Sequence, residues 1–288
     1  MVVPERHLAR NEWRWAPLAL MLSALALAGC QTSQSTFHGD AIDTATGSEV
    51  NIDSLSSVVT QNPTDANAYN VRGGAFGKAG KYTEAIADFN TAIKLNPSFY
   101  QAYANRALVQ RQLGHDDLAL ADYNQSISIN ANYDVAYVGR GNMYRQHKQY
   151  DLALADFNHA VELDANDPRA FHNRALVYQA LGQHNQAIDD FSKAIALAPT
   201  AGEPFNGRGL SYLATGDYKA ALDDFNEVVK RNKDSYEGWT NEGLALEKLG
   251  LREKAFAAFA RATSLNQNYG PAVDGMRRTS GPAPPKTT

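Results

Sequence analysis

The sequence predicts an all-α protein built from stacked pairs of antiparallel helices. An aromatic residue recurs every 34 residues, at Tyr69, Tyr103, Tyr137, Phe171, Phe205 and Trp239. A column of alanines and a second column of aromatics keep the same interval, and apolar residues within each unit follow helical spacing. Self-similarity at a fixed period of this length indicates a solenoid in which each unit packs on its neighbours. We therefore predict a superhelical solenoid of six full repeats.

Residues 1–29 predict a signal peptide. Arg6, Arg10 and Arg14 form a basic leader, and the apolar run at 16–27 is too short to span a bilayer. The following stretch, "LAGC", resembles the bacterial lipobox, and the resemblance implies that Cys30 is lipidated and becomes the mature N-terminus. In many Gram-negative lipoproteins an Asp directly after the cysteine means retention in the inner membrane. This chain has Gln31 at that place, which favours the outer membrane. The alternative is an ordinary secretory signal with an accidental cysteine.

The remaining boundaries follow from composition and register. Residues 30–49 contain few large apolar side chains and predict a disordered tether. Residues 50–278 predict the solenoid, with a capping helix at "NIDSLSSVV", another at "GPAVDGMRR", and a disordered tail at 279–288. The repeats lie near 66–98, 99–132, 133–166, 167–200, 201–234 and 235–268.

The columns of the repeat resemble the tetratricopeptide repeat (TPR) over about residues 66–268. In the first unit Tyr69 and Gly73 lie on one helix, and Ala85 and Phe89 lie on the next. Glycine ends the first helix of five units, where a left-handed backbone is expected, and Lys148 replaces it in the third unit. The resemblance implies that the first helices line a concave groove for a peptide or a partner helix.

A charge pattern also repeats with the units. One column holds five arginines, a second column 16 residues later holds five aspartates, and in the sixth unit both change together, to Glu242 and Ala258. This joint change predicts that each arginine pairs with the aspartate of its own unit. An exposed pair would contribute about 0–1 kcal/mol. The alternative is a basic stripe that binds a ligand. The predicted pairs are Arg72–Asp88, Arg106–Asp122, Arg140–Asp156, Arg174–Asp190 and Arg208–Asp224.

No sequence motif points to catalysis. The seven histidines show no metal-ligand spacing, Cys30 is the only cysteine, and no serine lies at a nucleophile elbow. A net charge of −4 without a Lys/Arg cluster argues against nucleic-acid binding. We therefore expect no enzymatic activity, no cofactor and no metal.

The candidate binding residues are those that the TPR resemblance places on the inner surface. Basic side chains gather in the N-terminal half of this surface and leucines in the C-terminal half, which suits a partner with an acidic end and an apolar stripe. The candidate residues are Arg111, Asn142, Arg145, Arg169, His172, Leu176, Gln179, Leu210 and Leu213.

This organisation is similar to NlpI-type lipoproteins, which are adaptors that bring envelope proteases to cell-wall hydrolases. The resemblance implies a lipid-anchored periplasmic scaffold that binds envelope proteins or peptides, such as a protease or a peptidoglycan hydrolase, in envelope integrity or peptidoglycan remodelling. Two alternatives stay open: a pilotin-like TPR lipoprotein that assembles the type IV pilus secretin, and a binder of cell-wall fragments. A homodimer through the terminal helices is also open.

Overall fold

The computed structural model describes residues 48–281, and within that range the chain forms fourteen α-helices and no strand. The all-α prediction is confirmed. The helices are α1 (Glu49–Gln61), α2 (Ala66–Lys78), α3 (Tyr82–Leu95), α4 (Tyr100–Gln112), α5 (Asp116–Ile129), α6 (Asp134–Gln146), α7 (Tyr150–Leu163), α8 (Pro168–Ala180), α9 (His184–Leu197), α10 (Glu203–Thr215), α11 (Tyr218–Arg231), α12 (Tyr236–Lys248), α13 (Arg252–Leu265) and α14 (Gly270–Thr279).

Six antiparallel pairs, from α2–α3 to α12–α13, form the predicted repeats. The first helix of each pair contacts the first helix of the next pair. The second helix contacts the following first helix, but within residues 48–281 no second helix contacts another second helix. First helices therefore lie close together on the inner side, and second helices are spread apart on the outer side.

The core of each unit is an aromatic ring held between small residues. The rings of Phe89, Tyr123, Phe157, Phe191, Phe225 and Phe259 are at most 2% exposed. The flanking helix must approach closely, and a Cβ added at Gly141 would lie 2.8 Å from the ring of Phe157. Full burial of such a ring contributes about 1.5–3 kcal/mol, so each of the six rings stabilises its unit substantially.

The turns between paired helices have the predicted left-handed backbone. The five glycines at this position have φ between 72° and 87°, and Lys148 takes the same conformation with φ of 58°. A side chain makes this conformation less favourable than it is for glycine, so the third unit carries local strain at its turn.

Two further helices cover the ends of the stack, as predicted. Helix α1 packs against α2, and α14 packs against α13 and α12. The signal peptide, Cys30, most of the tether and residues 282–288 of the tail lie outside the described residues, so these predictions stay predictions. None of the helices that the structure describes is long and apolar enough to cross a membrane.

The predicted Arg–Asp pairs are all present, and we call them the Arg–Asp ladder. In each pair the arginine donates two hydrogen bonds, from Nε and from Nη2, to the two carboxylate oxygens of the aspartate in its own unit. The donor–acceptor distances are 2.6–2.9 Å. The aspartate side chains are at most 10% exposed, so these are buried pairs and the small contribution of an exposed pair does not apply to them. They are buried because they lie one residue before the core ring on the second helix.

Each ladder arginine also reaches the preceding unit, or, for Arg72 in the first unit, the capping helix α1. Its Nη1 donates to a side-chain oxygen 16 residues earlier, over 2.5–3.4 Å. The guanidinium thus joins three helices from two units. The acceptors are Ser56, Asn90, Asn124, Asn158 and Ser192.

Candidate functional site

The inner surface formed by α2, α4, α6, α8, α10 and α12 is the candidate site, and we call it the groove. Two arginines of the groove, Arg111 and Arg145, lie at equivalent places in the last turns of α4 and α6. Among the described residues neither arginine forms an ion pair with a carboxylate. Within residues 48–281 the Arg145 guanidinium makes only long hydrogen bonds, over 3.4 Å from Nε and from Nη2 to the side-chain oxygen of Asn142.

Arg145 is also affected electrostatically by its surroundings. Burial lowers the pKa of the Arg145 guanidinium, and the positive charge of Arg111 lowers it further. Desolvation and a like charge both disfavour the cationic form, although an arginine stays charged. An anionic group bound between these two arginines would relieve both costs.

His172 forms part of the floor of the groove beside these arginines. Its side chain is only 6% exposed, and its ring meets the ring of Phe191 edge to face with centroids 5.5 Å apart. Burial, followed by the charge of Arg145, lowers its pKa to about 3. His172 is therefore neutral at physiological pH and adds no positive charge.

Arg169 differs from the other two arginines because an acid neutralises it. Its Nε lies 2.9 Å from the carboxylate of Asp167, which also caps α8 by accepting a hydrogen bond from the Arg169 backbone N–H. A second acid, Asp134, has a pKa raised by burial and by the charge of Asp167. The sequence pattern did not point to these two aspartates as groove residues, although the Asp167-Pro168 pair before a helix marks Asp167 as an N-cap. The positive charge of the groove thus centres on Arg111 and Arg145.

The C-terminal half of the groove is apolar and partly filled by its own packing. Leu176 packs on the core of the fourth unit, and Leu210 and Leu213 pack on the core of the fifth. Each of these leucines keeps part of its side chain exposed. The Gln179 side-chain amide donates to the backbone oxygen of Gly207 and the hydroxyl of Ser211, so it joins α8 to α10. The binding role predicted for these residues stays a prediction.

No cluster of three or more His, Cys, Asp or Glu side chains with metal-binding geometry exists in the part of the chain that the structure describes.

Family models agree with the repeat register. Models described as tetratricopeptide repeat match residues 66–99 and 168–201, residues 100–133, and residues 206–269, and a model described as TPR repeat matches residues 141–182. Together they cover more than half of the chain. Among curated proteins, no sequence matches this chain.

Solved structures with the same fold have low sequence identity. A chain of the Cut9–Hcn1 hetero-tetramer of the APC/C is 18% identical with a TM-score of 0.71, covering 83% of this chain and 47% of its own, so the present chain spans about half of it. PilF from Pseudomonas aeruginosa is 17% identical with a TM-score of 0.68, covering 74% of this chain and 97% of its own. PilW, a type IV pilus biogenesis factor, is 18% identical with a TM-score of 0.65, and the similarity covers 75% of this chain and 98% of PilW. At this identity the likeness concerns the fold.

Proposed function

This chain belongs to the tetratricopeptide repeat family, and from that premise we propose that it is a non-catalytic, lipid-anchored adaptor of the bacterial cell envelope. TPR proteins bind peptides or other proteins, and the fold is typically an interaction scaffold. The observation that carries the proposal is the pair of groove arginines, Arg111 and Arg145, neither of which has a carboxylate partner among the described residues. The partner is then an envelope protein that presents an acidic segment, followed by an apolar stripe toward the leucines.

The anchor part of the proposal rests on the N-terminal sequence. The apolar run and the unique Cys30 predict acylation, and several acyl chains hold a protein at a membrane far more firmly than one. Confinement to the membrane surface raises the effective concentration of partners in the same layer. Gln31 after the lipidated cysteine favours the outer membrane, with the adaptor facing the periplasm. The similarity in organisation to NlpI-type lipoproteins supports a role in peptidoglycan remodelling.

A second candidate function is pilus biogenesis. The similarity to PilF and PilW covers nearly the whole of those two chains and about three quarters of this one. In this case the groove would hold a component of the pilus machinery.

In-cell photocrosslinking tests the proposal. A crosslinker at Gln146, an exposed residue at the end of α6, should capture an envelope protease or cell-wall hydrolase. The matched control is a crosslinker at Gln125, which is exposed on the second helix α5 and should not capture this protein. Arg145→Ala should weaken the capture.

The other outcomes decide between the candidates. Capture of a pilus protein would support the second function. Equal capture at Gln146 and Gln125 would contradict a role of the groove. The anchor has its own test, because Cys30→Ser should move the protein out of the membrane fraction, and unchanged fractionation would contradict lipidation.

A further inference from the structure

The Arg–Asp ladder ends at the fifth unit, and the sixth unit has a cleft where the ladder would continue. Glu242 replaces the arginine on α12, and Ala258 replaces the aspartate on α13. The cleft has a volume of about 460 Å³ and lies between α11, α12 and α13. In the other units the equivalent space between two second helices holds a guanidinium. The cleft is therefore on the outer side of the stack, away from the groove.

The lining of the cleft combines apolar side chains with a few polar groups. Leu222 on α11 and Leu246 on α12 provide apolar contacts, and the ring of Trp239 forms another side. Asn226 on α11 occupies the column whose members accept a hydrogen bond from the ladder arginines of the other units.

The carboxylate of Glu242 has no hydrogen-bond donor at one of its oxygens among the described residues. Its side chain lines the cleft, and its Oε2 atom is buried with no hydrogen-bond donor among the described residues. Burial raises the pKa of this carboxyl group, with no compensating positive charge. A buried acceptor left without a donor costs about 1–3 kcal/mol, and more when it is charged.

Two cations at the edge of the cleft leave the carboxylate unpaired. Arg261 lines the cleft, but its guanidinium lies 3.6 Å from the carboxylate of Asp234. Lys254 also lines the cleft, and its side chain is exposed. The interior of the cleft thus has a single negative charge beside an aromatic ring.

The intact units show which chemical group this arrangement fits. In each of them a guanidinium binds a carboxylate, donates to the Asn or Ser of the preceding unit and lies within 6 Å of the centre of the first aromatic ring. In the sixth unit the asparagine and the aromatic ring are present, but both ladder partners are replaced. The carboxylate of the cleft is that of Glu242, at the position of the missing arginine, and Ala258 leaves open the space of the missing aspartate. We infer that this cleft binds an arginine side chain of a partner protein.

The inference is independent of the function proposed for the groove. An anionic ligand would be repelled by Glu242, and a purely apolar one would leave its carboxylate without a donor. A guanidinium supplies several donors in a plane and also stacks on aromatic faces. The cleft would thus give the protein a second docking point on its outer side, for a basic rather than an acidic segment.

The test is a titration of the full chain with the peptide Gly-Arg-Gly, acetylated and amidated at its ends. Binding is monitored through the NMR signal of the Trp239 indole N–H. We expect a saturable shift. The same peptide with citrulline, which has the shape of arginine without its charge, should not bind. Glu242→Gln should weaken the arginine peptide about tenfold to a hundredfold, the range for losing a charge-assisted hydrogen bond. Glu237→Gln, the same change on the same helix outside the cleft, should leave the affinity unchanged.

A second variant keeps the inference falsifiable if Glu242→Gln alters folding. The double change Glu242→Arg and Ala258→Asp rebuilds the ladder inside the protein, so it should fill the cleft, abolish peptide binding and raise the melting temperature. Equal binding of the arginine and citrulline peptides, or unchanged binding by the double variant, would overturn the inference. A third result would also overturn the inference. If a chain shortened to end at Gly281 bound the peptide tenfold more tightly than the full chain, Lys286 of the chain's own tail would be the natural occupant of the cleft.

Discussion

At the scale of single residues, Glu242 is expected to reduce stability at neutral pH. Its pKa is raised in the folded protein by burial, so the folded state holds the proton more tightly than the unfolded state. Glu242 therefore causes no loss of stability below about pH 4.5, the pKa of a glutamate in the unfolded chain. The loss of stability develops as the pH rises from there through the higher pKa of Glu242 in the folded protein. We predict that Glu242→Gln raises the free energy of unfolding by about 1 kcal/mol at pH 7.

The pH dependence separates this effect from a general change in packing. Denaturant titrations of both proteins at several pH values should show a gain that vanishes at low pH, where the glutamate is neutral in both states. Glu237→Gln serves as the control and should give no such gain. A gain for Glu242→Gln that stays constant down to low pH would contradict the electrostatic cause.

At the scale of the helix pair, the Arg–Asp ladder ties each second helix to its first helix and to the preceding unit. Arg140→Ala would leave the carboxylate of Asp156 buried without its two donors and remove the bond to Asn124. We predict a loss of about 3 kcal/mol in the free energy of unfolding, measured in urea, because a broken buried pair leaves an uncompensated charge. Adding Asp156→Ala should recover part of the loss. A loss below about 1 kcal/mol would be that of an exposed pair.

The ladder also shows how far the sequence could predict the elements. The joint change at Glu242 and Ala258 was enough to assign each arginine to the aspartate of its own unit. The bonds to the preceding unit were missed, although Asn90, Asn124 and Asn158 repeat in register. Burial of the aspartates was not predicted, because their position beside the core ring was recognised only when the packing of the helix pair was known.

The candidate site was less predictable than the fold for the same reason. The TPR resemblance placed Arg111 and Arg145 on one surface, but the long contact between Arg145 and Asn142 depends on side-chain conformation. His172 was predicted as a binding residue, and its burial against Phe191 follows from the fit between two helices. The repeated sequence pattern therefore predicts where a side chain lies along the stack of units. The exposure of that side chain depends on how the neighbouring unit packs against it.

At the scale of the whole repeat array, each unit contacts only its neighbours, so damage should spread along the chain from the altered unit. Phe157 is fully buried at the centre of the third unit, and Phe157→Ala should cost about 3–5 kcal/mol by leaving a cavity. Hydrogen exchange followed by mass spectrometry should show the largest loss of protection in α6 and α7, with smaller losses on both sides. Phe259→Ala removes an equally buried ring from the last full unit, so its losses should extend in one main direction, toward α11. A uniform loss across residues 48–281 in both variants would mean that the units unfold together, and the groove and the outer cleft would then share one stability instead of two.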